Sequence, residues 1–357
     1  MNRSLRRTAT GALNRRTLLG AGLAAAAGTA LPSRARADDQ VLNVYNWDTY
    51  IGSETISQFT EATGIKVRYD LFASNDEMFA KLREGNPGYD VVFATNNWVE
   101  KMIVAGMLDE MDHSQLPNFK NLDAKFADPA FDPQCAHSIP YFWGTIGIGY
   151  RKGDNDPTKW ADLFGEKHLD EKMSVLNDSY TLRCAMKYLG YSVNTKDEKE
   201  IDAAAQVLIQ AKPWIKAFAP DTGQDLLISG EVDMCLEWSG DILQVMAEDE
   251  ELNYVLPEEG SVLWTDSMLV PKGAPNRGNA FKFINFILDA KVGAEIASEV
   301  KYASPNAAAK ELLPAEDRDN AAIYPSPEAL AKCETIVYQG ESVETLYETA
   351  MTRVLAA

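Results

Sequence analysis

The chain has 357 residues, 46% hydrophobic, 10% aromatic and 24% charged, which excludes disorder, a collagen-like fibre and a polytopic membrane protein. Its length suggests about two domains. With 34 basic against 53 acidic residues the formal net charge is −19, which excludes nucleic-acid binding, because that needs a basic surface to displace counterions.

The first 37 residues stand apart. They hold Arg3, Arg6, Arg7, Arg15, Arg16, Arg34 and Arg36 and no acid. After Arg15-Arg16 comes a weakly apolar, Ala/Gly-rich run over 20–31, and Ala35-Arg36-Ala37 has the A-x-A form of a cleavage site. The run is too short for a membrane span. These features predict a signal peptide over 1–37, of twin-arginine type and cleaved after Ala37, with a Sec signal carrying extra arginines as the alternative. A bacterial periplasmic location follows. Loss of the leader leaves 27 basic and 53 acidic residues, a net charge of −26.

Beyond it, 41–47 reads as a strand, 53–64 as a helix capped by Ser53, and 65–71 as a second strand. Asn75 is expected to cap the next helix, before a buried strand over 89–95 and a short helix around Val99. This alternation predicts a parallel sheet covered on both faces. The middle of the chain repeats it. Strands are expected over 139–150, 173–177 and 232–238, with helices over 181–189, 197–218 (bent at Pro213) and 240–248. After 264–271 the pattern is mainly helical. The class is α/β. Two discontinuous lobes are expected, 38–144 plus 267–313 and 145–266 plus 314–357, joined by short crossings near Gly144 and Asp266.

Enzyme motifs are wanting. The three histidines, His113, His137 and His168, have no metal-ligand spacing. Gly144–Gly149 is glycine-rich but lacks dinucleotide spacing. Ser298-Glu-Val-Lys301 matches S-x-x-K without its companion motifs. Neither a metal nor a cofactor is expected, and no catalytic residue. Cys135, Cys184, Cys235 and Cys333 contain no C-x-x-C pair, and their pairing stays open among one disulfide, two or none.

The tryptophans fall at strand ends, beside acids: Trp47 with Asp48 and Tyr50, Trp238 with Asp241, and Trp264 with Asp266. Asp178 adds an acid at a strand-to-helix junction. Strand ends are where open α/β sheets gather ligands. An aromatic face attracts an organic cation and covers its methylenes, while a carboxylate accepts its N–H bonds. Core packing is the competing reading of any one such pair. Three of them in an acidic, exported chain favour a cation site.

The run from Val41 to Ile51, with Ser138-Ile-Pro-Tyr-Phe-Trp-Gly144, Tyr188-Leu-Gly-Tyr-Ser192, Trp238-Ser-Gly-Asp241, Trp264-Thr-Asp-Ser267 and Tyr302-Ala-Ser-Pro-Asn306, resembles the periplasmic spermidine/putrescine-binding proteins of ABC importers. The motifs occur in order along nearly the whole mature chain. The resemblance implies a type II periplasmic-binding-protein fold, two lobes hinged around a ligand cleft. It implies Trp47 and Tyr50 as cleft aromatics, Trp238 and Trp264 as walls for the methylene chain, and Tyr302 as an aromatic on the second side. Asp266 is implied as an ammonium acceptor, Asp241 as the acid of the putrescine-binding branch, and Thr95 as a hydroxyl to one amine.

Two departures stand out. Thr49 occupies a position usually acidic, and Tyr180-Thr181 stand where a glutamate usually follows Asp178. Counting Asp178, Asp241 and Asp266 as the cleft acids, with Asp48 in doubt, favours a diamine at least as strongly as spermidine. The implied partners are a polyamine, a membrane permease and an ATPase, the protein itself being a soluble monomer and not an enzyme. The rival readings are another organic cation or small solute on the same fold, and a secreted carboxylate-dependent hydrolase.

Overall fold

The computed structural model describes residues 40–153, 156–165 and 172–357. The expected leader over 1–37 and His168 lie outside the described residues. Those residues hold ten strands: β1 Val41–Trp47, β2 Lys66–Phe72, β3 Val91–Thr95, β4 Ser138–Arg151, β5 Met173–Leu176, β6 Ile215–Ala219, β7 Met234–Trp238, β8 Leu252–Val255, β9 Val262–Leu269 and β10 Glu334–Thr335.

They pair in the order β2-β1-β3-β9-β4-β7-β5-β6, with β10 on β9 and β8 on β4. Both flanks are parallel, β1 with β2 and β3, and β5 with β6 and β7. The middle corrects the expectation of a parallel sheet. There β9 runs antiparallel to β3 and β4, and β4 antiparallel to β7. Strand β4 is 14 residues long and changes partner midway, pairing with β9 up to Thr145 and with β7 from Ile146. Gly144 lies opposite Trp264 in that register.

Local chemistry moves several expected boundaries. The first helix is Thr55–Thr63, with Glu54 rather than Ser53 at its N-cap. The Ser53 backbone N–H instead donates to Glu299 Oε1 at 2.9 Å. Ser74, not Asn75, caps the helix Asn75–Arg83, accepting from the Glu77 N–H at 3.1 Å. The helix expected over 197–218 stops at Ala211, and after a single tight turn over Lys212–Trp214 the chain becomes β6. Pro213 has no N–H for a helical bond, and Ile215 and Phe218 suit a strand better.

Strand β3 is buried along its whole length, as an apolar run with sheet on both sides should be. The core continues into the helices, where Phe59 and Phe283 meet edge-to-face at 5.2 Å. All four cysteines are free thiols. His113 Nε2 lies 3.1 Å from the Cys135 carbonyl oxygen and His137 beside Asp132, so both serve local packing. No described helix is long and apolar enough to cross a membrane.

Candidate functional site

Parallel strands on both flanks end toward the same region. Asp48 and Tyr50 follow β1, Thr95 ends β3, Asp178 follows β5, Asp221 follows β6, and Asp241 lies three residues past β7. Strand β9 carries Trp264 and Asp266 across the middle of the sheet. These residues line one cavity of about 420 Å³. All ten expected site residues are among its lining: Trp47, Asp48, Tyr50, Thr95, Asp178, Trp238, Asp241, Trp264, Asp266 and Tyr302.

The aromatics form a continuous edge-to-face series. Tyr180 meets Trp238 at 4.9 Å, Trp238 meets Trp264 at 5.6 Å, Trp264 meets Tyr302 at 5.1 Å, and Tyr302 meets Tyr50 at 5.4 Å. Each such contact contributes roughly 0.5–1.5 kcal/mol beyond burial, enough to hold the rings in fixed orientations. Two glycines make room for this wall. A side chain at Gly144 would meet the Trp264 ring at 2.7 Å, and one at Gly240 would meet Tyr302 at 2.4 Å. The glycine in Trp238-Ser-Gly-Asp241 is therefore a packing requirement.

Asp266 sits at the centre. It is 6% exposed, and the Tyr50 hydroxyl donates to its Oδ2 at 2.9 Å. Its Oδ1 is buried and makes no hydrogen bond at bonding distance among the described residues, the Thr95 hydroxyl standing near enough only to favour its charged form; the Trp264 indole nitrogen and the Tyr180 hydroxyl are likewise buried without such a bond. Thr95 is braced by Asn75, whose Nδ2 donates to Thr95 Oγ1 at 3.0 Å. Asp178 caps the helix Ser179–Tyr188, accepting from the Tyr180 N–H at 2.9 Å. Asp48 is exposed and stands at the rim, accepting from the Thr49 N–H.

The lining is one-signed. It includes Asp48, Asp76, Asp178, Asp221, Asp241, Asp266, Glu344 and Glu348, and among the described residues no Lys, Arg or His. Burial pushes Asp178 up to about 7, with Asp76 and Asp221 adding to the rise and the Tyr180 N–H opposing it. Burial likewise raises Asp266 to about 6 against the pull of the Thr95 and Tyr50 hydroxyls, and Asp221 to about 6. Asp241 is raised well above the carboxylate range by burial and then by Asp221. Among the described residues the lining presents carboxylates and no cationic side chain, Arg183 reaching Glu344 at 3.9 Å from outside it. Such a site can take a cation, and its rings can cover an aliphatic chain.

Four lining acids were absent from the sequence reading. Asp221 was hidden by the misread helix, although Pro213 followed by a short apolar run and Pro220-Asp221 signals a strand and turn. Asp76 opens the helix after β2. Glu344 and Glu348 come from the helix Glu341–Ala356, which packs on the helices Ser179–Tyr188 and Glu198–Ala211. Nothing local in the sequence indicates that contact.

A family model described as bacterial extracellular solute-binding protein matches residues 54–324. The chain belongs to this family. As a solute-binding protein it is 36% identical over 301 residues to the spermidine/putrescine-binding periplasmic protein of Salmonella typhimurium, covering 83% of this chain and 86% of the relative. It is 36% identical to the putrescine-binding periplasmic protein SpuD of Pseudomonas aeruginosa, covering 89% and 91%. Among solved structures, the spermidine/putrescine ABC transporter substrate-binding protein PotD of Streptococcus pneumoniae superposes with a TM-score of 0.78 at 34% identity, covering 89% of this chain and 99% of that one. The fold is that of a solute-binding protein, as expected, and these relatives are named as binding proteins, the pneumococcal one as that of an ABC transporter.

Proposed function

We propose that this chain is a periplasmic binding protein that captures polyamines, putrescine and spermidine among them, and delivers them to the permease and ATPase of an ABC importer. One observation carries the reading: a cavity walled by aromatic rings and lined by eight acids, named above, without a described cationic side chain. The names of the relatives support the ligand class, and the arginine-rich leader supports export. The ten residues expected from the sequence act as the binding set, Trp238 and Trp264 covering methylenes while Asp266, Asp241 and Asp178 accept ammonium N–H groups. The two lobes are 38–144 plus 267–313 and 145–266 plus 314–357, closing as a monomer over ligand.

The acid count revises the expected ligand preference. Burying an unpaired ammonium costs several kcal/mol, and the acids counted in the sequence favoured a diamine at least as strongly as spermidine. Asp76 and Asp221 supply further acceptors, so a triamine is accommodated as well. Calorimetric titration with putrescine, spermidine, spermine, cadaverine and agmatine tests the reading. Saturable, stoichiometric binding without turnover is expected, with no binding of an uncharged diol of putrescine length. Absence of binding by every amine overturns it, and turnover would favour the hydrolase.

A further inference from the structure

Against Trp238, the residues Asp221, Glu237 and Asp241 bring one carboxylate oxygen each within 4.8 Å of one another. They come from three elements: the loop after β6, strand β7, and the first turn of the helix Ser239–Met246. Asp221 and Asp241 line the cavity, whereas Glu237 lies behind it, fully buried. Its Oε2 accepts from the Gly223 N–H at 3.0 Å and its Oε1 from the Trp238 N–H at 3.1 Å, so its position is fixed. The titratable groups facing the trio are Asp48, Asp178, Asp225, Asp266, Tyr50, Tyr302 and Cys235. Each of these is neutral or negative.

Three carboxylates this close, with no cation against them, cannot all be ionised, and they titrate as a unit. Two further observations tie the cluster to a cation. The buried Asp266 Oδ1 in the same cavity makes no hydrogen bond at bonding distance among the described residues. Neither does Ser174 Oγ, fully buried next to Glu237; a side chain at Gly223 would meet both, Glu237 Oε2 at 2.5 Å and Ser174 Oγ at 3.3 Å.

Resting on the polyamine reading, we propose that an ammonium entering between Asp221 and Asp241 displaces a proton held in the trio, with Glu237 as the positioning residue that keeps this proton in the empty cleft. Cation capture and proton release are then one event. The proton leaves a carboxyl group for solvent, the ammonium keeps its own protons, and no covalent bond between heavy atoms changes. An alkylammonium titrates near 10, so at neutral pH the ligand does not supply the proton. Burial raises all three carboxyls, Asp221 to about 6 and Glu237 and Asp241 well above their ordinary values, with Asp221 adding to the rise of both. Where one proton is released per ligand, affinity should fall about tenfold for each pH unit of acidification.

The test is titration of the purified protein with putrescine at pH 7 in phosphate and in Tris, buffers of different ionisation enthalpy. The enthalpy difference counts protons. About one proton released per ligand is expected, falling to less than half of the wild-type count in Glu237→Gln. Should that variant fail to fold, Asp221→Asn carries the same measurement. Binding with equal enthalpy in both buffers overturns this inference alone, and an unchanged count in Glu237→Gln overturns the role of Glu237. Absence of binding by any amine overturns the polyamine reading itself.

Discussion

Asp266 has one oxygen held by the Tyr50 hydroxyl and the other buried without a hydrogen bond at bonding distance among the described residues, so an ammonium there completes its bonding. Hydrogen bonds to charged groups are worth roughly 1.5–3 kcal/mol. Asp266→Asn should therefore weaken putrescine binding by about 10-fold to 150-fold, at 1.4 kcal/mol per tenfold. Trp238→Ala should act similarly by removing the ring that joins Tyr180 to Trp264 in the aromatic series. Calorimetry on folded variants checks both, and unchanged affinity in both would move the site elsewhere.

The same acids set a pH dependence. Asp178, Asp221 and Asp266 are raised in the fold to about 7, 6 and 6, each chiefly by burial. A group raised on folding contributes stability that is fully present below its unfolded value, near 3.9, and is lost as pH rises through its folded value. The ligand-free protein should thus lose thermal stability between about pH 5 and pH 8 relative to Asp178→Asn. Saturating putrescine should reverse the loss. A wild-type melting temperature that rises over this interval relative to the variant would contradict the assignment.

At the scale of elements, the turn from β7 into the helix Ser239–Met246 carries the aromatic wall, and Gly240 is its tightest point. A methyl group there would sit 2.4 Å from Tyr302, whose ring leans on both Trp264 and Tyr50. Gly240→Ala should cost tenfold or more in putrescine affinity while leaving the circular dichroism spectrum unchanged. A crystal structure of the variant with Tyr302 unmoved would refute the packing argument. Legibility in the sequence follows a related division. The strand ends at Trp47, Trp238 and Trp264 were readable because aromatic, acid and turn residues stand adjacent in the chain. Asp221 was not, because a propensity reading ran a helix through Pro213 into β6. Ser74 took the cap expected of Asn75, whose side chain is engaged by Thr95 across 20 residues. Glu344 and Glu348 reach the cavity only through the packing of the last helix on two others, a contact with no local signature.

For the whole molecule, the change of partner within β4 and the passage of β9 between the flanks make these strands the connection between the two proposed lobes. Cavity residues come from both flanks, so a ligand that bonds Thr95 on one side and Asp178 and Asp241 on the other, with Asp266 at the crossing between them, draws them together. Small-angle scattering should show a smaller radius of gyration with saturating putrescine. Confirmed binding without that change would mean a site already closed.

Charge acts at the longest range. The chain's net charge of −19, with Asp48 and Glu348 exposed at the rim, makes a field that draws a dication toward the cavity. Rim charges steer encounter, whereas buried partners hold the complex. Association of putrescine should therefore slow several-fold between about 20 mM and 500 mM salt, as the screening length drops from about 20 Å to a few ångströms. Glu348→Gln should lower the association rate and flatten that salt dependence with the dissociation rate unchanged, while Asp266→Asn should do the opposite and raise the dissociation rate. Stopped-flow measurement of tryptophan fluorescence separates the two rates, Trp238 and Trp264 both lying in the cavity. A faster dissociation in Glu348→Gln would place that carboxylate among the groups that grip the ligand.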